Sequence, residues 1–219
     1  MSGFSDDCQW WWDGQAWIAT SQVVIPDLLP SQRAKELEPR VQRYRVLDNV
    51  NFYGGFAGPF TDSLGSVLWI PWLFFYRRAF RAYRELLLER FRTASDYLLG
   101  PYEPVLAAEA GIFTELLIGV VWGGYGVVVT ANHVLVLAND KAIGHPRRVL
   151  MAAHPSEVYM QVHQGGILGA YPTILVNLGG QTWPIRGMHS ILKAEPVLNA
   201  WRAAASRLAD SSVPSFSAT

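Results

Sequence analysis

A change of pattern at Gly100-Pro101 constrains the fold of this chain more than any other feature of its sequence. After this break, short runs of β-branched and apolar residues alternate with turn signals up to about residue 190. Short strands joined by tight turns pair in an antiparallel manner. The periodicity of residues 194–209 predicts a closing amphipathic helix. We therefore predict an α+β fold in which residues 103–190 form a bent antiparallel β-barrel that is capped by this C-terminal helix.

A tryptophan-rich stretch near the start, QWWWDGQAWIAT at residues 9–20, predicts a β-hairpin. The Asp-Gly pair in its middle indicates a two-residue type I′ turn, which would place Trp10 opposite Trp17. Strand alternation then puts Trp10, Trp12 and Trp17 on one side, called the Trp face below, and Trp11 on the other. A lone hairpin is marginally stable in water, so we expect the Trp face to pack on the chain's own body or on a protein partner.

An uncharged run at residues 64–76 is followed at once by a cluster of arginines. These 13 residues fall short of the roughly 20 that span a bilayer, and the 20-residue segment obtained by extension back to residue 57 contains Asp62 and two prolines. A buried core helix, an interfacial or re-entrant segment and a full span all stay open for segment 57–76. Tryptophan prefers the bilayer interface and arginine favours anionic cytoplasmic lipid, so we predict a membrane contact on the cytoplasmic face. Its predicted residues are Trp69, Trp72, Phe74, Phe75, Arg77, Arg78, Arg81 and Arg84.

Residues 77–98 predict an amphipathic helix, because apolar side chains recur at spacings of three and four. Its arginines mostly lie off this stripe. They would either bind anionic headgroups or form a solvated face with partial i,i+4 pairing. An earlier helix is predicted after Ser31, its N-cap, with Pro39 as a kink or interruption. The predicted apolar stripe consists of Phe80, Tyr83, Leu87, Phe91, Ala94 and Leu98.

The sequence offers no clear catalytic site. No close metal-ligand pair of histidines, phosphate loop or nucleophile elbow is present, and the lone cysteine, Cys8, is remote from the histidines in sequence. The formal net charge of zero gives no global field that points to nucleic acid. We therefore predict a non-catalytic chain without cofactor, metal or nucleic-acid partner. The histidines, interpreted as solvated or hydrogen-bonded, are His133, His145, His154, His163 and His189.

The order of motifs over residues 103–208 resembles that of bacterial pleckstrin-homology-like (PH-like) domains. A strand pair, GYGVVVTANHVLVLAND, precedes the strands RRVLMAAH and EVYMQVHQ, a glycine-containing loop, a hairpin turning at Gly179-Gly180, and a final helix. The resemblance implies a strongly bent, partly open antiparallel barrel with the helix plugging one end. Phosphoinositide-binding members carry several Lys and Arg in the first hairpin, whereas residues 103–140 here contain none. We therefore expect this domain to hold a protein partner.

The hairpin sequence WWDGQAW also resembles the short Trp-rich segment W-W-D-G-x-x-W that is found near the termini of many bacterial membrane proteins. Together the two resemblances imply a bacterial, membrane-associated protein. The predicted function is a non-catalytic, membrane-proximal binding or scaffold protein. A soluble structural subunit of a larger assembly and a lipid or small-molecule binding module stay open as alternatives. The predicted divisions are a Trp-rich hairpin and linker (1–30), a helical region (31–98), the PH-like domain (99–209) and a flexible tail (210–219).

Overall fold

The computed structural model describes residues 3–25, 35–40, 85–86, 88–100, 103–110, 125–139, 146–165, 171–186 and 194–211. Residues 35–40 are helical and are called α1, and residues 85–86 and 88–99 are helical and are called α2. The last helix, α3, is Ala194–Ser211, so the first two residues of the predicted tail belong to it. The apolar segment 57–76, the whole predicted membrane contact with its four arginines, and the predicted cap Ser31 lie outside the described residues.

The described strands form three antiparallel sheets. The N-terminal sheet contains β1 (Gly3–Phe4), β2 (Trp10–Trp12) and β3 (Trp17–Ala19). A four-stranded sheet contains β4 (Ala107–Ala110), β5 (Tyr125–Val129), β6 (Val134–Asn139) and β7 (Pro146–Ala153). A C-terminal sheet contains β8 (Tyr159–Gly165), β9 (Tyr171–Leu178) and β10 (Gln181–Arg186). The prediction of an α+β fold with antiparallel strands is therefore confirmed.

The predicted bent, partly open barrel, by contrast, is not formed as one continuous sheet by the described strands. The three sheets are separate, and among the described strands no hydrogen-bonded ladder joins the four-stranded sheet to the C-terminal sheet. The break between them follows β7, where the Glu157 amide donates to the His154 carbonyl over 3.0 Å in a tight turn. Pro155 within this turn has no N–H to extend the ladder. The turn therefore redirects the chain, and β8 begins a new sheet instead of continuing the old one.

Both faces of the four-stranded sheet are buried, which explains why its central strands are apolar without interruption. One face packs on the C-terminal sheet and on α3, and the other packs on α2 and the N-terminal sheet. Alternation along β5 and β6 divides the side chains between the two cores. Val127, Val129, Val134 and Val136 belong to the first core. Val128, Leu135 and Leu137 belong to the second core.

Helix α2 docks through the predicted apolar stripe. Phe91, Ala94 and Leu98 are fully buried in the second core, whereas the other members of the stripe lie outside the described residues. The Arg90 guanidinium donates to Glu38 of α1 over 2.9 Å, which ties the two helices together. Residues 35–40 stay helical through Pro39, so this proline does not interrupt the predicted helix there. None of the helices in the described part of the chain is long and apolar enough to cross a membrane.

Candidate functional site

The tryptophan-rich hairpin forms with a longer loop than its Asp-Gly signal predicts. Trp10 pairs with Ala19 and Trp12 with Trp17, so the loop has four residues and the predicted pairing of Trp10 with Trp17 is wrong. The reason lies in Asp13, whose carboxylate accepts hydrogen bonds from the amides of Gln15 and Ala16, each over 2.7 Å. These bonds stabilise an alternative to the two-residue turn. The register moves by two residues, which preserves the side of the sheet on which each tryptophan lies.

The Trp face therefore exists as three side chains on one side of the N-terminal sheet. Trp10 is 47% exposed and Trp17 is 53% exposed. The rings of Trp12 and Trp17 form a tilted pair, with centroids 5.4 Å apart and planes at 53°. The tilt leaves ring surface that the neighbouring indole does not cover. This face is thus a solvent-exposed aromatic patch built on a short, regular sheet.

The opposite side of the same sheet is buried in the second core. Trp11 is 7% exposed, and Cys8, in the turn before β2, is 2% exposed. Ile18 and Phe4 pack against the same core. The Thr20 hydroxyl donates to the Cys8 carbonyl over 2.9 Å, which ties the turn to the residues after β3. The hairpin is thus held by its inner side, and its stability does not depend on covering the Trp face.

The chain that leaves the N-terminal sheet extends the four-stranded sheet at its β7 edge. Val24 forms an antiparallel bridge with Arg148, and the Ile25 amide donates to the Arg147 carbonyl over 2.8 Å. The Val149 amide donates in turn to the Val23 carbonyl over 3.2 Å. Side chains of Val23 and Ile25 are fully buried. An edge strand that would otherwise present free backbone groups is therefore covered by the N-terminal region.

A cluster of polar side chains, called the histidine cluster below, lies where the N-terminal sheet meets the rest of the protein. Glu103, Thr130, His133 and His154 form it. His133 Nδ1 lies 2.8 and 2.9 Å from the two Glu103 carboxylate oxygens, so it donates its proton to them. The Thr130 hydroxyl also donates to this carboxylate, and the Asn132 amide does so over 3.2 Å. One carboxylate therefore organises the whole loop between β5 and β6.

His154 connects this cluster to the N-terminal region. Its ring stacks on His133 with centroids 5.6 Å apart and planes at 23°. Its Nε2 lies 2.8 Å from the backbone carbonyl of Asp6, and because a carbonyl only accepts, Nε2 carries the proton. The centroid of the Phe4 ring lies 5.9 Å from that of the His133 ring. The prediction that His133 and His154 are solvated or hydrogen-bonded is confirmed, since both rings form hydrogen bonds.

The pKa values of two ionisable groups near the cluster are shifted by burial and by their neighbours. Burial raises the pKa of Glu103, but the hydrogen bonds from His133, Thr130 and Asn132 and the His133 charge outweigh it, so the pKa lies below its ordinary value. Burial is the main cause that raises the pKa of the Cys8 thiol to about 12. The negative charges of nearby carboxylates, of which Glu157 has the largest effect, contribute to the same rise in this pKa. A thiol with such a pKa is protonated at neutral pH and is a poor nucleophile. Within the described ranges, no group of three or more His, Cys, Asp or Glu side chains could hold a metal ion.

The structure thus places part of the predicted site. It brings Trp10, Trp12 and Trp17 together, whereas His145 and His189 lie outside the described residues. Sequence reasoning missed the histidine cluster. Its contact between Asp6 and His154 joins residues 148 positions apart, and no spacing rule indicates such a pair. The partner-binding role of the Trp face stays a prediction.

Comparisons with known proteins give one weak similarity, to a solved structure. No protein-family model matches the chain, and no curated protein matches it. Among solved structures, the chain is similar to a DUF1696 family protein with a pleckstrin-homology domain from Shewanella loihica. The sequences are 11% identical, the TM-score is 0.36, and the match covers 54% of this chain and 92% of that chain. This match is too weak to assign a family or a function to the chain.

Proposed function

We propose that this protein is a non-catalytic binding or scaffold protein that lies next to a membrane and holds a protein partner on its Trp face. The observation that carries this proposal is the two-sided hairpin, whose inner side is anchored in the second core while Trp10 and Trp17 stay half exposed. The exposed part of these rings packs on no residue of the core that holds the hairpin. Tryptophan is enriched among the residues that dominate binding energy at protein interfaces.

The state of the reactive side chains supports a non-catalytic role. His133 and Glu103 are bound to each other, and His154 is bound to the Asp6 carbonyl. Cys8 is buried with its pKa raised to about 12. These groups hold the N-terminal sheet on the body of the protein, and general acid–base work would require them to be available to a substrate.

Site-specific photocrosslinking tests the partner-binding role. A benzophenone amino acid that replaces Trp17 should give a light-dependent adduct of defined mass with a second protein in cells. The matched control carries the same group in place of Thr182, which is exposed on the C-terminal sheet, and should give none. The proposal would be contradicted if none of the three positions, Trp10, Trp12 and Trp17, gave an adduct.

The membrane part of the proposal is supported by the sequence of residues 64–84. Arginine near an anionic surface contributes about 1 kcal/mol, so replacement of four arginines by glutamine should cost about 4 kcal/mol, near a thousandfold in partitioning. Co-sedimentation with anionic liposomes at low salt measures this. If the wild-type protein stays in the supernatant, the membrane assignment is wrong and the soluble structural subunit becomes the leading interpretation. The variant replaces Arg77, Arg78, Arg81 and Arg84.

A further inference from the structure

The sequence that contains the Trp face carries charge of one sign. Residues 1–30 contain four aspartates and no lysine or arginine. Two of these acids flank strand β2, with Asp7 in the turn before it and Asp13 in the loop after it, and both are exposed. Strand β2 thus carries its tryptophans between two acidic residues of the sequence, both of which are exposed to solvent.

Both flanking carboxylates are held in place and stay ionised. Asp7 accepts a hydrogen bond from the Ser5 hydroxyl over 2.5 Å and from the Gln9 amide over 3.1 Å. Asp13 accepts from the Ala16 and Gln15 amides. These hydrogen bonds keep the pKa of each carboxyl below its ordinary value. The negative charge at the two ends of β2 is therefore fixed in position and present at every physiological pH.

Two features of the surface favour a cation over a neutral or anionic group. The π face of indole attracts arginine more strongly than any other aromatic ring does. The carboxylates add attraction for a positive charge and repel anionic lipid. Trp10 and Trp12 are two residues apart on one strand, about 7 Å, which equals the spacing of alternate side chains in an extended peptide.

We infer that the Trp face binds a basic, extended segment of another protein, in which arginines at alternate positions contact the indole rings. This inference rests on the proposed binding function and names its partner by chemistry. Arginine side chains would lie against the rings of Trp10, Trp12 and Trp17, and Asp7 and Asp13 would flank them. A bilayer with anionic headgroups and a neutral proline-rich segment are the competing occupants that the experiment below separates.

The test uses the full chain and fluorescein-labelled peptides in a fluorescence anisotropy titration. The probe is an acetylated peptide of alternating serine and arginine with three arginines. Its matched control contains citrulline, which keeps the shape of arginine and removes the charge. We expect the citrulline peptide to bind at least about tenfold more weakly, and the arginine peptide to lose affinity as salt rises.

Variants of the protein assign the binding to the Trp face. Trp17→Ala should weaken binding of the arginine peptide by about 2- to 30-fold. Asp13→Asn keeps an acceptor for the loop amides and should weaken binding by about two- to fivefold. Tyr159→Ala removes an aromatic ring that is 58% exposed on the C-terminal sheet and should leave affinity unchanged. Thermal unfolding of each variant checks that the fold is intact.

The outcomes separate this inference from the proposed function. Equal binding of the arginine and citrulline peptides, or unchanged affinity in Trp17→Ala, overturns the basic-partner inference. Tighter Trp17-dependent binding of a neutral proline-rich peptide or of anionic liposomes overturns it as well. The crosslinking experiment is independent of peptide charge. An adduct from position Trp17 without arginine-peptide binding would therefore leave the binding function standing and reject the stated partner chemistry.

Discussion

Gly126 of β5 lies directly beneath the ring of Phe91, and this contact sets how closely α2 approaches the four-stranded sheet. A methyl group added at Gly126 would lie 2.7 Å from Cε2 of Phe91, with two further ring atoms closer still. Carbon atoms that do not share a bond prefer about 3.5–4.0 Å. Phe91 is fully buried, so its ring has no solvent into which to move. The methyl group and the ring cannot both occupy their present positions.

We therefore expect Gly126→Ala to lower the free energy of unfolding by about 3 kcal/mol, the upper part of the range for overpacked cores. Urea denaturation measures this, and at about 3 kcal/mol/M the midpoint should fall by about 1 M. Gly3→Ala is the matched control, since a methyl group there meets nothing within 4 Å. It should change the free energy of unfolding by less than about 0.5 kcal/mol.

A double-mutant cycle identifies the cause of the loss. Phe91→Leu alone leaves a cavity and should destabilise the protein. Combined with Gly126→Ala, it removes the ring that the new methyl group would meet. The double variant should be more stable than the sum of the two single effects by about 1–3 kcal/mol. Additive effects, or a Gly126→Ala variant as stable as wild type, would refute the close-packing argument.

Three further predictions concern residues at the contact between the N-terminal sheet and the rest of the protein. In the folded protein the pKa of Glu103 lies below its ordinary value of 4.5. The ionised carboxylate therefore stabilises the folded state fully above about pH 4.5, and this stabilisation is lost as the pH falls through the pKa of the folded protein. Glu103→Gln should therefore lower the free energy of unfolding at pH 7. It should also reduce the fall of this free energy at acid pH, which urea titrations at several pH values would measure. Cys8, with a pKa of about 12, should resist iodoacetamide at pH 8 in the folded protein and react in urea, which mass spectrometry detects. Trp11→Ala should cost about 3–5 kcal/mol in urea unfolding. Trp11→Phe should cost less, since it also removes a buried indole N–H that has no partner among the described residues.

The positions of the strands along the chain could be predicted from the sequence because each strand is local and bounded by turn residues. The Gly179-Gly180 turn shows this, since both residues have positive φ and join β9 to β10 as predicted. Helix α3 also begins at its predicted residue. These elements depend on neighbours within a few positions, which is the range that sequence patterns report.

Features that depend on distant residues could not be predicted in this way. Two separate antiparallel sheets give the same alternation of residues as one bent, partly open barrel, so the pattern did not distinguish them. The hairpin register depended on whether Asp13 bonds two amides or occupies a type I′ turn, and both use the same residues. The Glu103 and His133 pair is 30 positions apart, and neither flanking sequence indicates it.

The two sides of the N-terminal sheet differ in their contribution to stability. Its inner side contributes to the second core through Trp11, the continuation through Val23 and Ile25 covers the β7 edge, and His154 bonds the Asp6 carbonyl. None of these contacts uses the indoles of the Trp face. Substitution on the inner side should therefore unfold or loosen the sheet, whereas substitution of Trp10 or Trp17 should leave the free energy of unfolding nearly unchanged. The proposed binding role of the Trp face can therefore be tested by substitution of Trp10 or Trp17 in a protein that stays folded.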